Sequence, residues 1–221
     1  HGGIANEAAV DLVRVDSGLL EKEGADPAEI LGGVDGILVP GGFGHRGIDG
    51  MVAAARYARE NGVPYFGICL GMQIMAIEWA RNVLGWADAN SGEFDRDTPH
   101  AVVSLLEEQV DVKNYGGTMR LGAGRSVLRE GTSIRAAYGT EEISERHRHR
   151  YEFANAFRPR MESAGLVIAA LTPDGGLVEA LEWPGHPWSV GVHFHPEFKS
   201  RPVAAHPLFR AFVAAAASRR G

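Results

Sequence analysis

Gly67-Ile68-Cys69-Leu70-Gly71-Met72-Gln73 is the stretch that decides the fold, because it holds the single cysteine of the chain between two glycines. Before it, Val63-Pro64-Tyr65-Phe66-Gly67-Ile68 is short, apolar and β-prone, the signature of a buried strand. After it, Met72, Ile74, Met75, Ile77, Trp79 and Ala80 mark the apolar side of a helix over residues 72–83. A strand, a Gly-x-Cys-x-Gly turn and a helix make a nucleophile elbow with sulfur in place of the serine oxygen. The turn strains the backbone of its central residue, and Gly67 and Gly71 spare it the side chains that would collide there. At the helix N-terminus, free N–H groups and the macrodipole favour an anion, so the spacing predicts a stabilised Cys69 thiolate. The same N–H groups, beginning with Leu70, would face the oxyanion of a tetrahedral intermediate. The competing reading is a buried structural cysteine, since free cysteine is among the most buried residue types.

Working back towards the N-terminus, Val34-Asp35-Gly36-Ile37-Leu38-Val39 reads as a second buried strand running into Pro40-Gly41-Gly42-Phe43-Gly44. A helix follows over residues 48–60, with Met51, Ala54, Ala55, Tyr57 and Ala58 on one side and Asn61-Gly62 as its stop. Residues 9–15 alternate loosely and predict a first strand, and Pro27 opens a short helix. The order β-α-β-α predicts an α/β fold, an open and mostly parallel sheet flanked by helices. The Pro40–Gly44 loop leaves a strand's carboxyl end, where such sheets collect ligands. It suits a phosphate cradle, a second oxyanion donor facing Cys69, or a turn rich in glycine for steric reasons alone. The phosphate reading lacks both a Gly-Lys-Ser/Thr ending and the G-x-G-x-x-G spacing.

Downstream, residues 85–100 are polar and loop-like and include Asn90-Ser91-Gly92-Glu93-Phe94, where Glu93 reads as a solvated carboxylate. A strand is predicted over residues 101–106, and Gly116-Gly117-Thr118-Met119-Arg120-Leu121-Gly122 opens an additional β-rich section. In Glu145-Arg146-His147-Arg148-His149-Arg150-Tyr151-Glu152-Phe153, alternation puts the three arginines on one face and the two histidines on the other. A metal site, a nucleic-acid contact, an anion-recognition strand and a solvated basic face all compete for this stretch. Residues 155–164 predict a short helix, and residues 166–171 and 177–183 a hairpin across Thr172-Pro173-Asp174-Gly175-Gly176. A strand over residues 189–194 delivers His195-Pro196-Glu197, and a helix over residues 207–217 closes the chain. His195 and Glu197 lie two residues apart, so in extended geometry they point the same way. The carboxylate would then orient the imidazole as the third member of a triad does, giving a Cys69-His195-Glu197 set. The remaining histidines, from His1 to His206, read as surface or structural.

The 221 residues suit one domain, and a 45% hydrophobic share is ordinary for a globular protein. A formal charge of −6 argues against a nucleic-acid or membrane-surface partner. One cysteine fits a reducing cytosol, and no apolar run is long enough to suggest membrane insertion. The first residue is His1 rather than methionine, which reads as an excised piece of a longer chain.

Pro40-Gly41-Gly42-Phe43-Gly44, the Cys69 elbow and Phe194-His195-Pro196-Glu197 together resemble the motifs of class I (triad) glutamine amidotransferases. The stretches 90–94, 116–122 and 145–152 are similar to those of CTP synthase glutaminase domains, the Arg/His stretch most specifically. The resemblance covers nearly the whole chain. It implies that residues 1–221 form a single glutamine amidotransferase domain, and that an amidoligase domain absent from this chain would precede it. It further implies that Cys69 attacks the side-chain amide of L-glutamine, with His195 and Glu197 as base and orienting acid. Gly42, Leu70, Gly71 and Met72 would supply oxyanion or substrate contacts. Gln73, Glu93 and Arg150 would grip the polar end of glutamine, Glu93 its ammonium and Arg150 its carboxylate. By the same resemblance the domain needs no cofactor or metal of its own. The amidoligase domain would use ATP, Mg and UTP to make CTP, GTP would activate the glutaminase, and the full enzyme would be a cytoplasmic homotetramer. One departure is His193, which stands where the family usually has glutamine. Two other functions share parts of this pattern. A different triad amidotransferase or γ-glutamyl hydrolase would keep the elbow without the Arg/His strand, and a regulatory module would keep the fold without needing all three triad residues.

Overall fold

The computed structural model describes residues 1–105 and 119–219. The first part of the chain forms α1 (Gly2–Ala5), α2 (Pro27–Leu31), β1 (Ile37–Val39), α3 (Ile48–Glu60), β2 (Tyr65–Ile68) and α4 (Leu70–Asn82). The middle part forms β3 (Asn90–Ser91), β4 (Ala101–Ser104), β5 (Arg120–Leu128), α5 (Ser133–Tyr138), β6 (Glu142–His149) and β7 (Glu152–Phe153). The last part forms α6 (Arg158–Ser163), β8 (Val167–Leu171), β9 (Val178–Glu182), β10 (Ser189–Val192) and α7 (Pro207–Ser218).

One seven-stranded sheet runs in the order β1-β2-β10-β9-β8-β5-β6, and β3, β4 and β7 make a small second sheet. β1, β2 and β10 are parallel, with Val39 opposite Gly67 and Val192 opposite Ile68. From β10 to β6 every pairing is antiparallel. The expected α/β architecture is therefore present, and the β-rich section continues the same sheet instead of standing apart from it. This antiparallel half curls round, so that the Arg146 carbonyl on β6 accepts the N–H of His195 just beyond β10, at 2.8 Å.

Both faces of the parallel part are covered, which is why β2 is buried at every position and lacks alternation. Tyr65 and Gly67 face α4. Phe66 faces the other way and meets Trp188, Phe209 and Phe212 at ring-centroid distances of 5.7, 5.5 and 5.8 Å. α4 is buried from Leu70 to Ala80, including Gln73 and Glu78, so it is a central helix rather than the one-sided helix predicted for residues 72–83. It packs on the sheet on one side and on α3 and the small sheet on the other. The charge of Glu78 is met by a forked pair with Arg59 of α3, at 2.8 to 3.0 Å.

Some local expectations change. Residues 9–15 are not a strand: a β-prone stretch becomes one only when its backbone pairs, and among the described residues nothing pairs with it. Val10 and Leu12 instead line an open apolar groove with Leu38, Phe209, Phe212 and Val213. The helix predicted over residues 155–164 shortens to α6, which Pro159 opens. The polar stretch 85–100 holds the short strand β3. Leu106 and the glycine turn Gly116-Gly117-Thr118 lie outside the described residues.

Candidate active site

β1, β2 and β10 are parallel and adjacent, so their carboxyl ends open on one edge of the sheet. Three motifs that are far apart in sequence meet there. Cys69 leaves β2 at φ 52° and ψ −100°, a region that a residue with a side chain occupies only under strain. The turn is held by its own backbone: the Cys69 N–H donates to Val192 at 2.7 Å, and its carbonyl accepts from Met72 and Gln73 at 3.1 and 3.2 Å. The flanking glycines are needed for closeness. A Cβ on Gly67 would lie 2.5 Å from the Gly71 carbonyl, and one on Gly71 would lie 2.2 Å from the Val39 carbonyl. Met72 is buried and packs against Gly191 of β10.

From β1 comes the glycine loop. A Cβ on Gly41 would sit 2.8 Å from His195 Cε1 and 3.5 Å from Cys69 Cβ, so this glycine lets the backbone touch both side chains. Gly42 is next along and approaches the Leu70 side chain. From β10 comes His195, with Nδ1 2.6 Å from Glu197 Oε1 and its ring stacked on Phe198 at 5.1 Å. A carboxylate at Nδ1 holds the proton there and leaves the Nε2 lone pair free. That Nε2 is buried and has no hydrogen-bond partner among the described residues.

Glu93 accepts from the Gly44 N–H at 3.5 Å and feels the charge of Arg150, so the loop after β3 closes over the glycine loop. Burial nevertheless raises the Glu93 carboxyl above the usual range. On β6 the predicted alternation holds, with Arg146 and Arg148 exposed and His147 and His149 buried; Arg150 follows in the bend after the strand. Arg148 lies over the Phe43 ring at 5.7 Å, and with Arg146, Leu121 and Phe198 it lines an open cleft of about 730 Å³. The buried His149, Glu152 and His193 come within 4.8 Å of one another, the spacing of a metal cluster. The two imidazoles, however, are stacked at 3.8 Å and 9°, so their in-plane lone pairs run parallel and do not converge on one cation.

A family model described as glutamine amidotransferase class-I matches residues 1–215. The chain belongs to the class I glutamine amidotransferases. It is 56% identical, over 97% of its length, to the CTP synthase of Carboxydothermus hydrogenoformans. It is 55% identical, over 98% of its length, to that of Geotalea uraniireducens. It spans about 40% of the length of each of these relatives. Among solved structures, the Trypanosoma brucei CTPS glutaminase domain with bound acivicin matches at a TM-score of 0.92 and 44% identity, covering 98% of this chain and 84% of that one.

Several residues of this amidotransferase site escaped the sequence reading. Gly41 touches the Cys69 and His195 pair more closely than Gly42 does, although nothing in a run of glycines ranks them. Glu145 accepts from Tyr138, Lys199 and His206 at 3.1, 3.3 and 3.1 Å, which ties the turn after His195 to β6. Glu179, a charge inside an apolar strand, was a legible signal of a buried ion pair.

The thiol departs most from expectation. Burial pushes Cys69 up to about 12. The Leu70 N–H, which bonds the sulfur, opposes this, and the nearby Glu197, Glu93 and Glu152 charges add to it. The helix N-terminus does not prevail over desolvation in the resting protein. Modification of Cys69 by a small neutral electrophile should therefore rise about tenfold per pH unit from pH 7 to 10, because the thiolate fraction does so below the thiol pKa. A rate that levels off near pH 7 would mean a resting thiolate.

Proposed function

We propose that this chain is the glutaminase domain of a CTP synthase and hydrolyses the side-chain amide of L-glutamine. The observation that carries it is the meeting of Gly41, Cys69 and the Glu197-oriented His195 at one sheet edge. The 44% identity to a glutaminase domain with bound acivicin supports it. As glutamine binds, His195 Nε2 takes the thiol proton and Cys69 Sγ attacks the amide carbon. The Gly42 and Leu70 N–H groups steady the resulting oxyanion. The C–N bond then breaks, ammonia leaves with the proton from His195, and a glutamyl thioester remains on Cys69. His195 next takes a proton from water, hydroxide attacks the thioester, and glutamate departs as the thiol recovers its proton. Gln73, Glu93 and Arg150 hold the amino-acid end, Arg150 on the carboxylate and Glu93 on the ammonium. Burial is the main cause of the raised Cys69 thiol and the Glu93 charge adds to it, so an ammonium paired with Glu93 removes part of what opposes ionisation of the sulfur. Gly71 and Met72 shape the elbow beneath the substrate.

In the whole protein, ammonia passes to an amidoligase domain that uses ATP, Mg and UTP to form CTP, with GTP as activator, in a cytoplasmic homotetramer. No helix among the described residues is long and apolar enough to cross a membrane. The test is mass spectrometry after exposure to a glutamine-shaped diazoketone. The expected result is one adduct, on Cys69, blocked by excess glutamine. Labelling elsewhere, or labelling that glutamine does not block, would overturn the glutaminase reading. Preference for γ-glutamyl peptides over free glutamine would turn it towards a γ-glutamyl hydrolase.

A further inference from the structure

Gln73 is buried in the first turn of α4, four residues after Cys69. Its side-chain nitrogen Nε2 is 3.2 Å from His193 Nε2 and 3.4 Å from the Tyr151 carbonyl. On the far side of the His193 ring, Nδ1 is 3.2 Å from Glu152 Oε2, an ion-pair distance at which the two atoms are not aligned as a hydrogen bond. His193 and Glu152 are both buried, which strengthens the electrostatic pull between them. The Glu152 charge also adds to the raising of the Cys69 thiol.

With a neutral imidazole at position 193, the neighbouring charge and hydrogen-bond chemistry favour one arrangement of this chain of groups. A neutral imidazole has one N–H and one lone pair. In that neutral form the negative charge 3.2 Å from Nδ1 favours the proton on that side by electrostatic attraction, which leaves Nε2 as an acceptor. A lone pair can face only a donor, so the amide of Gln73 must turn its NH2 towards His193. The second hydrogen of the same NH2 then meets the Tyr151 carbonyl. The opposite orientation would set the amide oxygen against a lone pair and a carbonyl oxygen, losing two bonds and adding two repulsions. His149 does not compete for the amide. Its Nδ1 lies 3.1 Å from the same Tyr151 carbonyl, and it offers only the face of its ring to His193.

We propose that Glu152 and His193 are positioning residues that fix the amide of Gln73, so that its carbonyl oxygen is the atom presented to the ammonium of the bound amino acid. The role of that oxygen rests on the glutaminase reading; the proton positions do not. With both amide hydrogens engaged, Oε1 is the one atom of this side chain left to accept from a ligand. A histidine at position 193 gives the relay a direction: a neutral imidazole with its proton on the Glu152 side accepts from Gln73, whereas a carboxamide could face it either way round. Glutamine at position 193 can still do the same work in one of its two orientations, accepting from Gln73 and donating to Glu152.

Two measurements on the 221-residue chain test this. In two-bond 1H–15N spectra at neutral pH, His193 should be the Nδ1–H tautomer, the minor form of free neutral histidine, and should move towards Nε2–H in Glu152→Gln. An Nε2–H form in the unaltered protein would overturn the proposal whether or not the chain hydrolyses glutamine. In steady-state assays, His193→Leu should raise KM for glutamine roughly tenfold, the worth of one hydrogen bond. Its kcat, and the rate at which chloroacetamide alkylates Cys69, should stay within about threefold, since at saturation Glu93 still holds the ammonium and chloroacetamide has no amino-acid end. His193→Gln should restore KM to within about twofold. An unchanged KM in His193→Leu, or kcat, KM and alkylation failing together without rescue by glutamine, would overturn it. Loss of turnover in the unaltered chain would overturn the glutaminase reading, while the tautomer result would still stand.

Discussion

Replacing Cys69 with alanine is expected to abolish glutamine turnover, by about 10⁴-fold or more, while the fold and its melting temperature stay close to those of the parent. The two halves of this prediction have different physical sources. In the proposed mechanism turnover depends on the sulfur because the thioester forms on it, and without it His195 could at most activate water against a stable amide. The Leu70 N–H that bonded the sulfur loses its acceptor but remains beside the substrate space. The fold, by contrast, depends on the backbone. Alanine keeps the Cβ and therefore the strained φ of 52°, and the bonds from the Cys69 N–H to Val192 and from Met72 and Gln73 to the Cys69 carbonyl are untouched. The loss is one small buried group, worth roughly 1 kcal/mol. Circular dichroism, a thermal melt and an ammonia-release assay check it together. Hydrolysis that persists in the alanine variant would remove Cys69 from the mechanism, and an unfolded variant would mean that the sulfur is structural.

The same residues show how far the sequence could be read. The elbow was legible because its requirements are local: two glycines, a cysteine, a strand before and a helix after. Helix α3 was legible to the residue, since its apolar periodicity and the Asn61-Gly62 stop leave little freedom. What failed was what depends on partners. Residues 9–15 have the alternation of a strand and no ladder to join. α4 looked amphipathic because Gln73, Glu78 and Arg81 punctuate it, yet Glu78 is buried against an arginine on another helix. The thiol offered the sharpest lesson. A helix N-terminus can be read from sequence, but the burial that outweighs it, and the three nearby carboxylates that add to that burial, come from the tertiary fold, the carboxylates lying in the loop after β3, on β7 and in the turn after β10. The direction of a pKa is a tertiary property.

Glu179 carries that lesson into stability. It is fully buried on β9, with Arg120 at 2.5 Å, His147 at 2.7 Å and the Ser126 hydroxyl donating at 3.1 Å. Burial alone would raise its carboxyl. The His147 hydrogen bond and charge, followed by the Arg120 guanidinium, outweigh it and hold Glu179 below the usual carboxylate range. Glu179→Gln should therefore cost about 3 kcal/mol, most of it from stranding the Arg120 and His147 donors rather than from the lost attraction itself. For a chain of this size that is a fall in Tm of roughly 10 °C. Two further outcomes distinguish this from a packing defect. Because the folded carboxyl lies below its unfolded value, its stabilisation is fully present above the ordinary glutamate range and is lost as pH falls through the lowered folded value. The gap in Tm between parent and variant should thus be widest at neutral pH and close in acid, as pH falls below the ordinary glutamate range and through the lowered folded value. Adding Arg120→Met to Glu179→Gln should also recover part of the loss, since removing both charges leaves no orphaned cation beneath the site. A gap that is constant with pH, or a double variant as unstable as the sum of the singles, would show that Glu179 acts by shape. The histidine face of β6 would then be ordinary core, and the ion cluster beneath the Arg146 and Arg148 face would not be what keeps that strand in register beside His195.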